Sequence, residues 1–406
     1  MGEHENCTSC DAVTDASSTR LIHHPYRPPE GFDGAMPGVF KASGVHFPTV
    51  AASRSDGWLD KSGYTYGLQG TPTSFVLEER LATLEGARRV LLAPSGRAAV
   101  MLVEVAALRA GDAVLLPWAA EVGQADGATD HAFAREDMVR WGIGIQRYDP
   151  MTEASLADVV TPATRLVWLV APDPVTQAFP DLRGLVRTVR ERAPGALIAL
   201  DNTWGAGLAF RAFDLGEGLA VDLSVQDLGP QVSGGQACLG SVACRDETLY
   251  QRLLWSHTRL GLGVGMGEVE AVLRALPSLA LRHAAQDAAA RRLAQWCQAQ
   301  PAFAGVAHPA LPGTPGHVHW ATLCGSAAGL LVLQVDVRHG LERLEAFAGA
   351  LKIFQVGSGW GGSTSRVQLV PGPGEACRCA CLSLSVGLEP VEDLEDDLAQ
   401  AAVALN

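Results

Sequence analysis

Apolar and polar positions divide the chain into three parts. Residues 1–18 are polar and are predicted to be disordered, and residues 19–62 are rich in Pro, Gly and His without a regular apolar repeat. We expect residues 1–62 to form a tail and an extended arm that packs against another subunit. The first helical pattern follows at residues 74–86. Its apolar positions recur at helical spacing and are Phe75, Leu77, Leu81 and Leu84.

Short apolar runs alternate with amphipathic stretches as far as about residue 260. Repeated strand–helix units predict a mainly parallel sheet with helices on both faces. Residues 63–260 are therefore predicted to form a large α/β domain. The predicted strands lie at residues 90–92, 113–116, 166–170 and 196–200, and the predicted helices at residues 97–109, near 130–141 and at 182–192.

The remainder of the chain has a different pattern. One long helical run, dense in Ala, Leu and Arg, covers residues 266–297 and is followed by shorter elements. Residues 261–406 are therefore predicted to form a smaller α+β domain. Its further predicted elements are strands at residues 330–337 and 383–386 and helices at residues 341–351 and 390–405.

The composition narrows the class of protein. The chain has 406 residues, of which 48% are hydrophobic, and this is enough for a large interior. The net charge is −13, from 31 basic and 44 acidic residues. An acidic chain argues against nucleic acid or an anionic membrane as the main partner. The first residues lack the features of a signal peptide, and no apolar run is long enough to cross a membrane, so we expect a cytoplasmic protein.

Candidate chemistry lies where two predicted strands end. The strand at residues 196–200 ends on Asp201, and the short apolar run 223–225 is followed by the turn Gly229-Pro230. Ligands of open α/β sheets bind outside the carboxyl ends of the strands. A second candidate is the strand-to-helix turn at residues 95–97, because a helix N-terminus attracts anions.

The nine cysteines do not form the pattern of a secreted disulfide framework. We interpret them as small buried side chains and predict no metal site, with metal binding, or a redox pair at Cys7 and Cys10, as the alternatives. In a strand, alternating cysteines would share one face. Four tryptophans, in the pairs Trp118/Trp141 and Trp168/Trp204, are predicted to lie in the core. The two cysteine groups with close spacing are Cys7/Cys10 and Cys377/Cys379/Cys381.

Several segments together resemble one family. In order along the chain, they read YTYGLQGTPTSFVLEERLATLEG, APSGRAAV, ALIALDNTWGAG, HPALPG, GWGG and SLSVGLE. They are similar in order and approximate spacing to the Cys/Met-metabolism enzymes that depend on pyridoxal phosphate (PLP), the trans-sulfuration family. DNTW-x-AG and HPALPG are nearest to its cystathionine β-lyases. The resemblance covers residues 19–405 and implies a large domain with the PLP-transferase fold of aspartate aminotransferase, fold type I.

The resemblance implies a role for five residues. Asp201 corresponds to the carboxylate that pairs with the pyridine nitrogen of PLP, so that the ring can act as an electron sink. Ser95, Gly96 and Arg97 correspond to the turn that binds the phosphate, and Tyr66 to a tyrosine that reaches the phosphate from a neighbouring subunit. The family therefore implies PLP as cofactor and a homodimer or homotetramer as the assembly.

The chain departs from the family where the chemistry is most demanding. The lysine that forms the Schiff base falls on Pro230, and Asp227 takes a position close to the expected phosphate. Proline has no amine that could form an imine. The whole chain has three lysines, none of them in this loop: Lys41, Lys61 and Lys352. Other groups that the family would have are replaced as well. Ala120 takes the position of a stacking tyrosine, and Ser383 that of a carboxylate-binding arginine. The further replaced positions are Leu68 and Gly359.

Three hypotheses follow. The first is a divergent family member that has lost PLP Schiff-base chemistry and acts as a pseudoenzyme subunit or small-molecule binder, alone or with a paralogous subunit. The second is a PLP-binding carbon–sulfur lyase or transferase that acts on a sulfur amino acid without the lysine. The third is thiol chemistry at Cys379 or Cys381. In the first, covalent binding of PLP is not expected, and the cleft has a different ligand or no cofactor.

Overall fold

The computed structural model describes residues 34, 36–118, 135–336, 340–370 and 379–405. Contacts divide the chain into a short first unit, Met1–Pro37, and one compact unit, Gly38–Asn406. The predicted tail, residues 1–18, and Ala120 lie outside the described residues. The predicted boundaries at residues 62 and 260 stay predictions.

A seven-stranded sheet forms the centre of the larger unit. Its order is β1-β7-β6-β5-β4-β2-β3, with parallel pairing from β6 to β3 and antiparallel pairing of β7 with both of its neighbours. The predicted mainly parallel sheet is thus confirmed. Its strands are β1 Arg89–Ala93, β2 Ala113–Pro117, β3 Gly144–Tyr148, β4 Thr164–Val170, β5 Leu197–Asp201, β6 Leu223–Asp227 and β7 Gly240–Cys244.

Helices cover both faces of this sheet, and two separate apolar cores result. The first helix begins at a Thr71 cap followed by a proline and ends at Gly86, which has a φ of 71°. Of the helix predicted near residues 130–141, the described part is Arg135–Arg140. The helices that accompany the sheet are α1 Pro72–Glu85, α2 Gly96–Ala107, α3 Arg135–Arg140, α4 Glu153–Val159, α5 Leu182–Arg192 and α6 Glu247–Leu260.

The long helix predicted over residues 266–297 is wrong as a single element. Pro277 has no backbone N–H, and a short 3-10 turn, Leu276–Ser278, separates two helices. They are α7 Met266–Ala275 and α8 Leu279–Gln298.

A five-stranded sheet occupies the C-terminal part of the chain, with the order β10-β11-β12-β9-β8. The predicted strand at residues 383–386 is longer in the structure and begins before it. The strands are β8 Gly305–Ala307, β9 Leu330–Asp336, β10 Gln355–Val356, β11 Arg366–Val370 and β12 Cys379–Ser385, and the helices are α9 His317–Leu323, α10 Gly340–Ala350 and α11 Val391–Ala401.

The predicted tryptophan core is half right. Trp168 is fully buried and Trp204 is 7% exposed, but Trp118 and Trp141 are 58% and 47% exposed. Trp118 follows the end of β2 and Trp141 follows the end of α3. Both therefore stand past the packed part of their element. Across the described residues, no helix is long and apolar enough to span a bilayer.

Candidate functional site

The carboxyl end of β5 places Asp201 at the edge of the large sheet. The backbone N–H of Thr203 donates to Asp201 Oδ1 over 3.0 Å, and the Thr203 hydroxyl accepts from the backbone N–H of Asp227 over 2.9 Å. Thr203 thus joins the ends of β5 and β6. Burial raises the pKa of the Asp201 carboxyl to about 6, and the nearby charge of Asp227 adds to the shift.

Asp227 is the last residue of β6, and its side chain lies against the first turn of α2. A Cβ added to Gly96 would lie 2.7 Å from Asp227 Cβ and 3.0 Å from Asp227 Oδ2. The other carboxylate oxygen, Oδ1, accepts the N–H of Gly229 over 2.8 Å. The helix N-terminus, where an anion is favoured, is therefore faced by a carboxylate of the chain itself. Burial raises the pKa of Asp227.

The two acids are close but not in contact along the sheet. Asp201 pairs in register with Val225, and Asp227 lies two residues farther along β6. One strand spacing and two residue rises place their Cα atoms about 8 Å apart. The site therefore holds two carboxylates side by side, one at each strand end.

Hydrogen bonds fix the loop that contains Pro230. Ser233 Oγ donates to Gly229 O over 2.6 Å and accepts the backbone N–H of Gln236 over 3.0 Å. Arg282 donates to the Gln231 carbonyl from Nη1 and to the next carbonyl, that of Val232, from Nη2, each over 2.9 Å. Pro230 thus lies within a well-bonded turn.

A buried polar chain connects this loop to α8 and was not predicted from the sequence. Gln231 Nε2 lies 2.8 Å from His283 Nδ1, and His283 Nε2 lies 2.7 Å from Ser326 Oγ. Burial lowers the pKa of His283. The residues are 52 and 43 positions apart, so no local pattern could have identified the contact.

A second loop, residues 357–363, packs against the first. A Cβ added to Gly361 would lie 2.8 Å from both the Pro230 carbonyl carbon and the Gln231 backbone nitrogen. Gly362 lies close to Gly234 in the same way, with its added Cβ at 3.1 Å from the Gly234 oxygen. The C-terminal part of the chain therefore forms one wall of the site.

Lys61 is held by contacts away from this site. Lys61 Nζ forms an ion pair of 2.9 Å with Glu78 and approaches the Val90 carbonyl of β1 at 3.5 Å. From β1 to β5 there are three strand spacings, roughly 14 Å. The other two lysines are Lys41, which is exposed, and Lys352, which follows α10.

The other residues predicted for the site lie in different surroundings. Ser95 caps α2 by accepting the N–H of Ala98 over 3.1 Å, and the Arg97 side chain is exposed. Tyr66 is 49% exposed and precedes a short 3-10 turn, so its predicted role at a neighbouring subunit stays a prediction. Cys381 is 1% exposed beside Ala307 and Val332, and this burial disfavours thiol chemistry there.

Comparisons with known proteins show the family of the chain. The family model described as "Cys/Met metabolism PLP-dependent enzyme" matches residues 18–403. A relative named cystathionine beta-lyase, from Bordetella avium, is 31% identical over 397 residues, which cover 94% of this chain and 96% of the relative. The match therefore extends over nearly the whole length of the relative.

Solved structures show the same fold. A crystal structure of metB from Corynebacterium glutamicum has a TM-score of 0.83 and 22% identity, and the match covers 97% of this chain and 99% of that one. Cystathionine gamma synthase from Xanthomonas oryzae pv. oryzae, solved with cystathionine, has a TM-score of 0.81 and 25% identity, with 91% and 93% covered. The resemblance stated from the sequence is confirmed, and the chain belongs to the Cys/Met metabolism family of PLP-dependent enzymes, with a cystathionine β-lyase-like sequence.

Proposed function

We propose that this chain is a divergent trans-sulfuration protein that has lost Schiff-base lyase chemistry and binds a small molecule in the ancestral cleft. The observation that carries the proposal is the contact of Asp227 with the first turn of α2. In the family resemblance, that turn binds the phosphate of PLP. Here the chain's own carboxylate lies against it.

The fit to PLP differs at the two ends of the cofactor. At the ring end, Asp201 is present and half-buried, and it fits a pyridine nitrogen. At the phosphate end, Asp227 Oδ2 lies 3.0 Å from where a Gly96 Cβ would be. Two like charges at 4 Å and an effective dielectric near 20 repel by about 4 kcal/mol. The phosphate end therefore does not fit, and we derive no reaction through the cofactor.

The position of the lysines supports the same proposal. Pro230 stands where the resemblance places the Schiff-base lysine, and its carbonyl carbon is packed against Gly361. Lys61 is paired with Glu78 beside β1, three strand spacings from β5. No lysine amine among the described residues is hydrogen-bonded to the Asp201–Asp227 pair.

The test is trapping with borohydride. Purified protein is incubated with equimolar PLP, reduced, digested and mapped by mass spectrometry, with the visible absorbance of the imine recorded beforehand. We expect no imine band and no stoichiometric adduct. The matched variant Asp227→Ser/Pro230→Lys, which removes the carboxylate and supplies an amine, should gain both signals, whereas Pro230→Lys alone should gain less. A stoichiometric lysine adduct in the unaltered protein would contradict the proposal.

A second candidate function is favoured by Asp201 alone. It is a carbon–sulfur lyase or transferase that binds PLP without a lysine and acts on a sulfur amino acid. The retained carboxylate at the ring end supports it. Thermal unfolding with millimolar PLP distinguishes the two, because a ligand that binds only the folded state raises the melting temperature. A rise that Asp201→Ala abolishes would favour this candidate.

For the assembly we propose a homodimer or homotetramer, or a mixed complex with a paralogous subunit. Tyr64 and Tyr66, just after the predicted arm, support a subunit contact, since both are more than 40% exposed in the single chain. Native mass spectrometry of the protein purified from its source measures the mass and composition of the complex. A single-chain mass would contradict this proposal.

A further inference from the structure

His283 on α8 lies where three segments of the chain meet. Its Nδ1 atom is 2.8 Å from Nε2 of Gln231, in the loop of residues 229–236 (the Pro230 loop). Its Nε2 atom is 2.7 Å from Ser326 Oγ, in the segment that leads into β9. The His283 side chain is 3% exposed, and Gln231 is fully buried. Both ring nitrogens are therefore engaged, and each of them joins α8 to a different part of the chain.

These two hydrogen bonds require a neutral imidazole. The Gln231 Nε2 group can only donate, so Nδ1 of His283 accepts. The ring proton is then on Nε2, which donates to Ser326 Oγ. A second proton would place an N–H on Nδ1, directly facing the N–H of Gln231. The bond between α8 and the Pro230 loop therefore depends on the charge of the ring.

The other end of the Gln231 amide connects this bond to the second loop, residues 357–363. Gln231 Oε1 has no hydrogen-bond partner among the described residues, and it lies 2.6 Å from where a Cβ of Gly361 would be. Turning the amide would bring Oε1 to a protonated ring and the NH2 group against Gly361. Protonation of His283 would therefore change the contact between the two loops that form the wall of the site.

The charged neighbours of the ring lie on its own helix. Burial is the main cause that lowers the pKa of His283, the Asp287 carboxylate opposes this shift, and the Arg282 guanidinium adds to it. Asp287 is itself paired with Arg291 over 2.7 Å. The three segments around the ring contain no Asp, Glu, Lys, Arg or His, and they are residues 229–236, 324–329 and 357–363. A charged ring would thus stand in neutral surroundings beside Arg282.

We propose that Gln231 and His283 form a pH-sensitive latch, which holds the Pro230 loop on α8 and releases it when the ring is protonated. Arg282 still binds the carbonyls of Gln231 and Val232 after release, so the loop loosens on one side while the chain stays folded. The packing of Gly361 on the loop loosens with it. This inference rests on the proposed small-molecule binding in the cleft, because the latch regulates access to that ligand.

The sign of the pH dependence follows from the burial of the ring. The pKa of His283 is lowered in the closed loop, and release exposes the ring to water, where its pKa returns toward 6.5. The open form therefore binds the proton more tightly than the closed form. Opening is suppressed above pH 6.5 and grows as the pH falls below it.

Hydrogen exchange of the full chain, read by mass spectrometry, tests the latch. The informative amides are those of Ser233, Gly235 and Gln236, whose N–H groups are bonded in the closed loop. Their protection factors, corrected for the direct effect of pH on exchange, should fall roughly 3- to 10-fold between about pH 8 and about pH 5. Asp201 and Glu85 also titrate in this range, so variants isolate the contribution of His283.

Two variants separate the latch from a merely structural contact. His283→Gln has no group that takes up the proton, and it should abolish the fall in protection. Gln231→Glu should reverse the fall, because a carboxylate accepts the N–H of the protonated ring and holds the loop closed in acid. If His283→Gln does not fold, Gln231→Glu carries the test.

The control is His319→Gln, at a histidine on α9 whose side chain is 40% exposed, and it should keep the full pH dependence. No fall in the unaltered protein, or an equal fall in His283→Gln or Gln231→Glu, would overturn the latch. These results would leave the proposed function intact. A PLP–lysine adduct would overturn the proposed function instead and would leave the pH dependence of the loop unchanged.

Discussion

The ends of β5 and β6 are neighbours in one sheet, yet they have different relations to their surroundings. At the end of β5, Asp201 is bonded to its own turn through Thr203. At the end of β6, Asp227 reaches across to the first turn of α2. In the function that we propose, the first end keeps the group that a pyridine ring needs, and the second occupies the site that a phosphate needs. Under that proposal, the fold persists while one half of the binding site changes its chemistry.

One buried acid joins the two strand ends. Glu85, at the end of α1, accepts hydrogen bonds from Asn202 Nδ2 and Ser224 Oγ, each over 3.2 Å. Burial raises the pKa of the Glu85 carboxyl from 4.5 to about 7. The folded state therefore keeps a proton that the unfolded state loses, and this contribution to stability is present below pH 4.5 and is lost as the pH rises through 7.

Glu85→Gln should show the largest effect. The unaltered protein loses stability over this range as Glu85 ionises, whereas the amide does not ionise. Relative to the unaltered protein, the unfolding free energy of the variant should therefore rise by about 3 kcal/mol between pH 4.5 and pH 8. Urea unfolding of both proteins across this range measures the change. If the difference in unfolding free energy between the two proteins were the same at all pH values, Glu85 would not be desolvated and the strand ends would not be joined as described.

Gly96→Ala should show the next largest effect. The new methyl group would lie 2.7 Å from Asp227 Cβ, which is closer than packed carbons allow. We expect destabilisation by roughly 2 kcal/mol, as for other overpacked sites. Urea unfolding again provides the measurement.

Two comparisons make the Gly96 result specific. The same alanine in an Asp227→Gly background should cost much less, because the carbon that it meets is absent. Gly195→Ala, with open space around the added carbon, should be close to neutral. Equal losses at Gly96 with and without Asp227 would contradict the contact between β6 and α2.

Asp227→Asn should show the smallest effect. Removing the neighbouring charge should lower the pKa of Asp201 only slightly, since burial is the larger cause of its rise to about 6. A carboxyl-detected NMR titration measures the change. If the pKa of Asp201 returned fully to its usual value, the two strand ends would be coupled more strongly than the geometry indicates.

Much of the fold is predictable because its signals are local. The helix at residues 182–192 was predicted within its observed limits, since its apolar residues recur at helical spacing. The strand β7 was not predicted, because Gly240–Cys244 is short and rich in small residues. The break at Pro277 was missed because the apolar repeat continues on both sides of it.

The candidate site is predictable only in part. Asp201 and Pro230 were identified because they stand at strand ends in recognisable segments. The contacts that give the site its character join distant segments, such as Gln231 with His283 and Asp227 with Gly96. Tertiary packing decides each of these contacts.

The most direct measurement is a crystal structure of the protein grown with millimolar PLP. The account predicts that the Asp227 carboxylate stays against the first turn of α2 and that no phosphate density appears there. It also predicts no density continuous with a lysine side chain. A phosphate bound by the N–H groups of Gly96 and Arg97, with Asp227 rotated away, would contradict the central claim.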